Sequence, residues 1–153
     1  MILPNFKGFP SNRLIGVDWG ARRTGIAVSV DNGTVVATRP VIHMAQYSHA
    51  VLAAQIAQIA TDERCEGIVV GLPLRMDGTE SETTAMVREF ASVLANATDL
   101  PILLMDETLS SSDAQESFGR VRRRDIKEKL DSVAARVILE NAIAMIARGN
   151  TNR

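Results

Sequence analysis

Carboxylates stand at two places in this chain where an apolar run stops. Asp18 closes "LIGVD", residues 14–18, and Asp106 and Glu107 close "PILLMDE", residues 101–107. A further acid, Asp131, borders the apolar stripe of a helical stretch made by Leu130, Val133, Ala134, Val137 and Ile138. Carboxylates gathered in one cleft repel each other and call for a cation. A donor set made only of oxygens suits Mg²⁺ or Mn²⁺. Two such ions can activate a water and stabilise a leaving oxygen in phosphodiester cleavage. Basic residues lie nearby in sequence to meet phosphates. Arg22 and Arg23 follow Asp18, and six of the 17 Lys and Arg residues fall between 120 and 129.

Each of these groups also has a plainer reading. Asp18 can close a turn, and Glu107 can favour the dipole of a following helix. Asp131 can pair with Lys127, four residues back on the same helix face. The 120–129 run can be solvated surface, and Asp77 with Gly78 can simply make a turn. His43 and His49 show no ligand spacing, Cys65 reads as an inert thiol, and Trp19 is expected to pack under a sheet edge.

These residues need a frame to hold them. Residues 14–19 and 25–30 read as strands, and Asp31-Asn32-Gly33 is a hairpin signal leading to a third strand over 34–42. Helical spacing over 47–60 precedes a wholly apolar strand, "GIVVG", at 67–71. Thr79 and Glu82 have capping-box spacing for a helix reaching Ala97. After the 101–107 strand, Ser110 and Asp113 can cap a short helix. A last helix runs from about Ile126 to Ala147. The implied fold class is α/β, a mixed five-stranded sheet with helices on both faces. Residues 1–13 read as a flexible lead-in and 14–149 as a single domain. Sites in such sheets lie at the carboxyl ends of the parallel strands. The pleat forbids Asp106 and Glu107 from sharing one site, and spacing alone does not choose between them.

Composition narrows the classes further. A chain of 153 residues, 46% hydrophobic, suits one compact core, built from aliphatic residues since only 4% are aromatic. The net charge of −1 places any nucleic-acid role in local clusters. One cysteine excludes an internal disulfide framework and fits a cytoplasmic setting. No run approaches the roughly 20 apolar residues that span a bilayer.

Four motifs in register, "GVDWGARRTGIAVS", "IVVGLPLRMDGTES", "MDETLSS" and "KLDSVAARVIL", carry a resemblance. Together they are similar to the YqgF-like family, with its ribonuclease H-like fold, from about Leu14 to Ala147. Its members are described as Holliday-junction-resolvase-like proteins and as pre-16S rRNA nucleases. The resemblance implies a catalytic and metal-binding set of Asp18, Glu107 and Asp131, choosing Glu107 over Asp106. It implies Mg²⁺ or Mn²⁺ as cofactor, as a pair of ions. It places a loop with Gly71, Asp77 and Gly78 near the site. Nucleic-acid contacts are expected from Arg22, Arg23, Arg75, Arg122, Arg123, Arg124 and Lys127. Ala21, Arg75 and Thr108 depart from the family's usual residues, which bears on substrate contacts rather than on metal ligands.

The expected function is therefore a metal-dependent nuclease, first in 5′-end maturation of pre-16S rRNA and second in resolving four-way DNA junctions. Junction cutting would favour a symmetric dimer, so the chain is expected to be a monomer or a homodimer. A non-catalytic nucleic-acid adaptor ranks lower. "DWGARRTGIA" also resembles the first phosphate motif of actin-like and sugar-kinase proteins. One domain lacks the second half that those folds close around ATP.

Overall fold

A computed structural model describes residues 1–30, 33, 35–108 and 123–151. Within these, the side chains of Thr108, of 123–131 and of 149–151 lie outside the description. The elements are β1 (Ile2–Leu3), β2 (Leu14–Asp18), β3 (Arg23–Val30), β4 (Val35–His43), α1 (His49–Asp62), β5 (Gly67–Leu74), α2 (Glu82–Ala97), β6 (Ile102–Thr108) and α3 (Arg123–Thr151). The strands form one mixed sheet in the order β1-β6-β5-β2-β3-β4. β1, β6, β5 and β2 run parallel, and β3 and β4 return antiparallel as the hairpin signal implied.

The sheet is buried on both faces, which explains its uninterrupted apolar strands. Ile15, Val17, Val28, Ile68, Val70 and Ile102 pack against Leu52 and Ile56 of α1 and Phe90 and Leu94 of α2. The alternate residues Leu14, Ala27, Val69 and Leu103 pack against Ala135, Ile138, Leu139 and Ala142 of α3. Those four helix residues recur at the helical period, so one stripe of α3 covers the second face. Among the described residues no helix is long and apolar enough to cross a membrane.

The sheet has six strands, not five. The sixth comes from the segment read as a lead-in: Ile2 and Leu3 pair in parallel with Ile102 and Leu103. Phe9 enters the α3-side core, and Phe6 meets it edge-on at 6.0 Å. A two-residue strand is too short to leave a periodic signal. The start of α2 also differs from the Thr79–Glu82 expectation. Ser81 is the N-cap, its hydroxyl accepting from the Thr84 N–H while the Thr84 hydroxyl accepts from the Ser81 N–H. Thr79 is already engaged in the preceding turn, donating through its N–H and its hydroxyl to Asp77. The short helix expected after Ser110 lies outside the described residues. Cys65 is buried, which pushes its thiol up to about 11, so the inert reading fits.

Gly16 sets how closely α3 approaches. A Cβ there would stand 2.9 Å from Leu139 Cβ and 3.0 Å from the Ala135 carbonyl oxygen, so it would press on helix backbone. Gly16→Ala is expected to lower unfolding stability by about 1–3 kcal/mol, the usual cost of overpacking a filled interface. Urea titration followed by circular dichroism measures it, and an unchanged midpoint would contradict this packing.

Candidate active site

β2 lies at the centre of the sheet, between β5 and β3, and ends at Asp18. Val17 pairs with Val70, so Asp18 stands level with Gly71 and, across β5, with Met105. Val17 belongs to the core under α1 and α2, and strand alternation therefore turns Asp18 to the α3 face.

The same alternation decides between the two acids of β6. Ile102 and Leu104 lie on the α1 and α2 side, and so does Asp106, whose charge adds a small part to the rise in pKa that Arg88 of α2 owes mainly to its hydrogen bond with Glu80. Leu103 and Met105 lie on the α3 side. Glu107 follows them, and Asn141 of α3 donates to its Oε1 across a long 3.5 Å. Asp18 and Glu107 thus share a face, and Asp106 does not.

Between their strands runs β5, and the residue that faces α3 there is Gly71. A Cβ on Gly71 would lie 2.4 Å from Ile138 Cδ1 and 3.8 Å from Glu107 Cγ. Gly71 thus puts no side chain of its own between the two carboxylate-bearing strands, which are two strand spacings, roughly 10 Å, apart, and Ile138 of α3 packs into the room this leaves. Asp131 lies on α3 one turn before the buried Ala135, and its side chain is outside the described residues. Among the described residues no three acid, histidine or cysteine groups gather as a metal cage.

Glu107 is only half exposed. Burial holds its carboxyl above the usual range; the Asn141 hydrogen bond opposes this, and the Asp106 charge adds to it. An acid kept partly desolvated near a second acid, with one long hydrogen bond among the described residues, is a donor that a cation would relieve. The all-oxygen set of Asp18 and Glu107 fits a hard divalent ion.

The expected phosphate contacts divide. Arg22 is exposed in the turn past Asp18, and its carbonyl accepts from the Met44 N–H at 2.9 Å. Arg23 opens β3, paired with His43. Arg75 is turned to its own loop: its Nη1 donates to the Glu80 carbonyl at 2.8 Å and to the Thr79 hydroxyl at 3.3 Å. Asp77 accepts twice from Thr79, which lowers its pKa, and Gly78 takes φ +83°. Both therefore build the turn. Arg122 lies outside the described residues; Arg123, Arg124 and Lys127 are on α3 with side chains outside the description. Asn141 and Ile138 were not legible as site neighbours, since nothing in their spacing separates them from the rest of α3.

The fold and its paired strand-end carboxylates define a protein of ribonuclease H-like fold. The model describing "RuvX: Holliday junction resolvase" matches residues 12–145, and the chain belongs to that family. Two curated relatives are named "Putative pre-16S rRNA nuclease". One, from Rickettsia canadensis, is 35% identical over 97% of this chain and 99% of its own length. The other, from Maridesulfovibrio salexigens, is 37% identical over 86% of this chain and 98% of its own. Among solved structures, Thermus thermophilus RuvC in complex with a Holliday junction substrate superposes with a TM-score of 0.54. It is 14% identical, over 92% of this chain and 97% of that one.

The raised pKa of Glu107 makes a prediction with a definite sign. Folding favours the protonated form, so this contribution to stability is full below the unfolded pKa and is lost as pH rises through the folded one. In chelator above that pH, Glu107→Gln is expected to be more stable than the wild type. Near pH 4 the difference is expected to vanish. Thermal melts across pH read this directly, and a variant less stable at neutral pH would contradict it.

Proposed function

We propose that this chain is a divalent-metal-dependent nuclease that hydrolyses phosphodiester bonds in structured RNA, acting in 5′-end maturation of pre-16S rRNA. The observation that carries the proposal is the pairing of Asp18 and Glu107 on one face of the sheet, at the carboxyl ends of parallel strands, with Gly71 between them letting α3 approach through Ile138. Asp18 and Glu107, with Asp131 from α3, would hold Mg²⁺ or Mn²⁺. When bound, such an ion lowers the pKa of water and stabilises the leaving oxygen.

The residues have separable roles in this reading. Asp18 and Glu107 supply negative oxygen donors from a rigid sheet rather than from loops. Asn141 holds Glu107 over Gly71. Arg22 and Arg23, between the end of β2 and the start of β3, and Arg123, Arg124 and Lys127 at the start of α3, with Arg122 next to them in sequence, meet the phosphate backbone. Arg75 keeps the adjoining loop in shape. The names of the relatives favour pre-16S rRNA as substrate. The description of the family model favours a second reading, resolution of four-way DNA junctions by a dimer.

The test is cleavage of an end-labelled pre-16S 5′ leader and a four-way DNA junction side by side, with Mg²⁺, Mn²⁺ or chelator. The leader is expected to be cut, and chelator to abolish cutting. Asp18→Asn and Glu107→Gln are each expected to reduce the rate at least about 100-fold. Junction cutting alone would transfer the proposal to the second reading. Folded protein that binds either substrate without cutting would leave a non-catalytic adaptor.

A further inference from the structure

The chain has one tryptophan and one tyrosine, and they are bonded to each other directly beside Asp18. The Trp19 indole N–H donates to the Tyr47 hydroxyl at 2.6 Å, with the rings edge-to-face at 5.5 Å. The Tyr47 hydroxyl is in turn hydrogen-bonded to His49 Nδ1. His49 opens α1, stands edge-on to Tyr47 at 4.9 Å, and lies 6.2 Å from the fully buried Phe90 of α2. Its Nε2 faces Glu89 of α2 at 3.4 Å. The end of β2 is thereby tied to the start of α1 and the side of α2.

Consecutive residues of an extended strand face opposite sides. Asp18 faces α3, and Trp19 packs on the core under α1 and α2. Fixing the Trp19 ring therefore fixes the peptide that carries Asp18, from the side of the sheet away from the carboxylate. The next residues are tied too: the buried Thr24 hydroxyl donates to the Gly20 carbonyl at 3.1 Å. If packing were the only need, Phe would fill the Trp19 position without a polar atom to satisfy. A hydrogen bond adds direction, which an apolar contact lacks.

We infer that Trp19 and Tyr47 are positioning residues whose mutual hydrogen bond holds the Asp18 carboxylate in register with Glu107. This rests on the nuclease reading for its kinetic consequence, and metal affinity provides a readout independent of cutting. Tyr47→Phe removes the acceptor and Trp19→Phe removes the donor, each keeping an aromatic ring.

The experiment compares wild type, both single variants and the double variant. The readouts are kcat and KM on the substrate that is cut, Mn²⁺ affinity by calorimetry, the thermal midpoint, and the indole N–H signal in a ¹H–¹⁵N spectrum. One tryptophan gives one indole signal; it is expected to exchange slowly and to shift in Tyr47→Phe. Each single variant is expected to lose about tenfold in kcat, with KM within about twofold, because small misplacement of a reacting group is costly while substrate contacts are untouched. Mn²⁺ affinity is expected to fall in parallel. The double variant is expected to be no worse than Tyr47→Phe, which already lacks both the Trp19 bond and the His49 bond.

Variants with a lower thermal midpoint but wild-type kcat and Mn²⁺ affinity would overturn the inference and leave a packing role. A wild type that binds Mn²⁺ without cutting, with weaker binding in both single variants, would keep the positioning and sink the nuclease. A wild type that neither binds Mn²⁺ nor cuts would overturn both.

Discussion

The structure depends on how closely α3 can lie on the sheet. A helix normally rests on a layer of side chains. Over β2 and β5 two of those side chains are missing, at Gly16 and Gly71, and the helix has come down into the space. At Gly16 the helix backbone itself is the near neighbour, and at Gly71 it is Ile138. This contact brings Asn141 within reach of Glu107, and Ile138 fills the room over Gly71 between the strands of Asp18 and Glu107. Packing and site are set by the same two residues.

The two faces of the sheet have different tasks. The α1 and α2 face is a conventional aliphatic core, and it also receives the Trp19–Tyr47–His49 group. The α3 face carries the acids. Asp106 points to the first face and Glu107 to the second, although they are adjacent in sequence. The division has an electrostatic cost, since Asp106 still pushes up the pKa of Glu107 through the sheet. An acid in that condition is better suited to receiving a cation than to stabilising the empty protein.

Much of this was legible in the sequence. Long apolar strands and periodic helices announce themselves, so the α/β class and the parallel centre were readable. Asp18 was readable because an acid ends an apolar strand. The choice of Glu107 over Asp106 was readable only from the family resemblance, because pleating shows only that they differ. Which face matters is decided by α3, a helix that follows later in the chain. The role of Gly71 was hidden for a related reason: what a missing side chain makes room for depends on Ile138, 67 positions further along. Ile2–Leu3 was missed because two residues carry no period. Arg75 was read as a phosphate contact because composition shows a charge and not the carbonyl it already serves.

The sixth strand has a consequence for how the chain assembles. Ile2 pairs with Ile102, and β1 is the edge strand that closes the ladder beside the strand that carries Glu107. That pairing spans 100 residues, so its loop-closure cost makes it among the slowest contacts to form. Until then Ile2, Phe6 and Phe9 have no final berth and remain apolar surface in search of one. The edge of the sheet along Ile102 and Leu103 is thus a late step in folding.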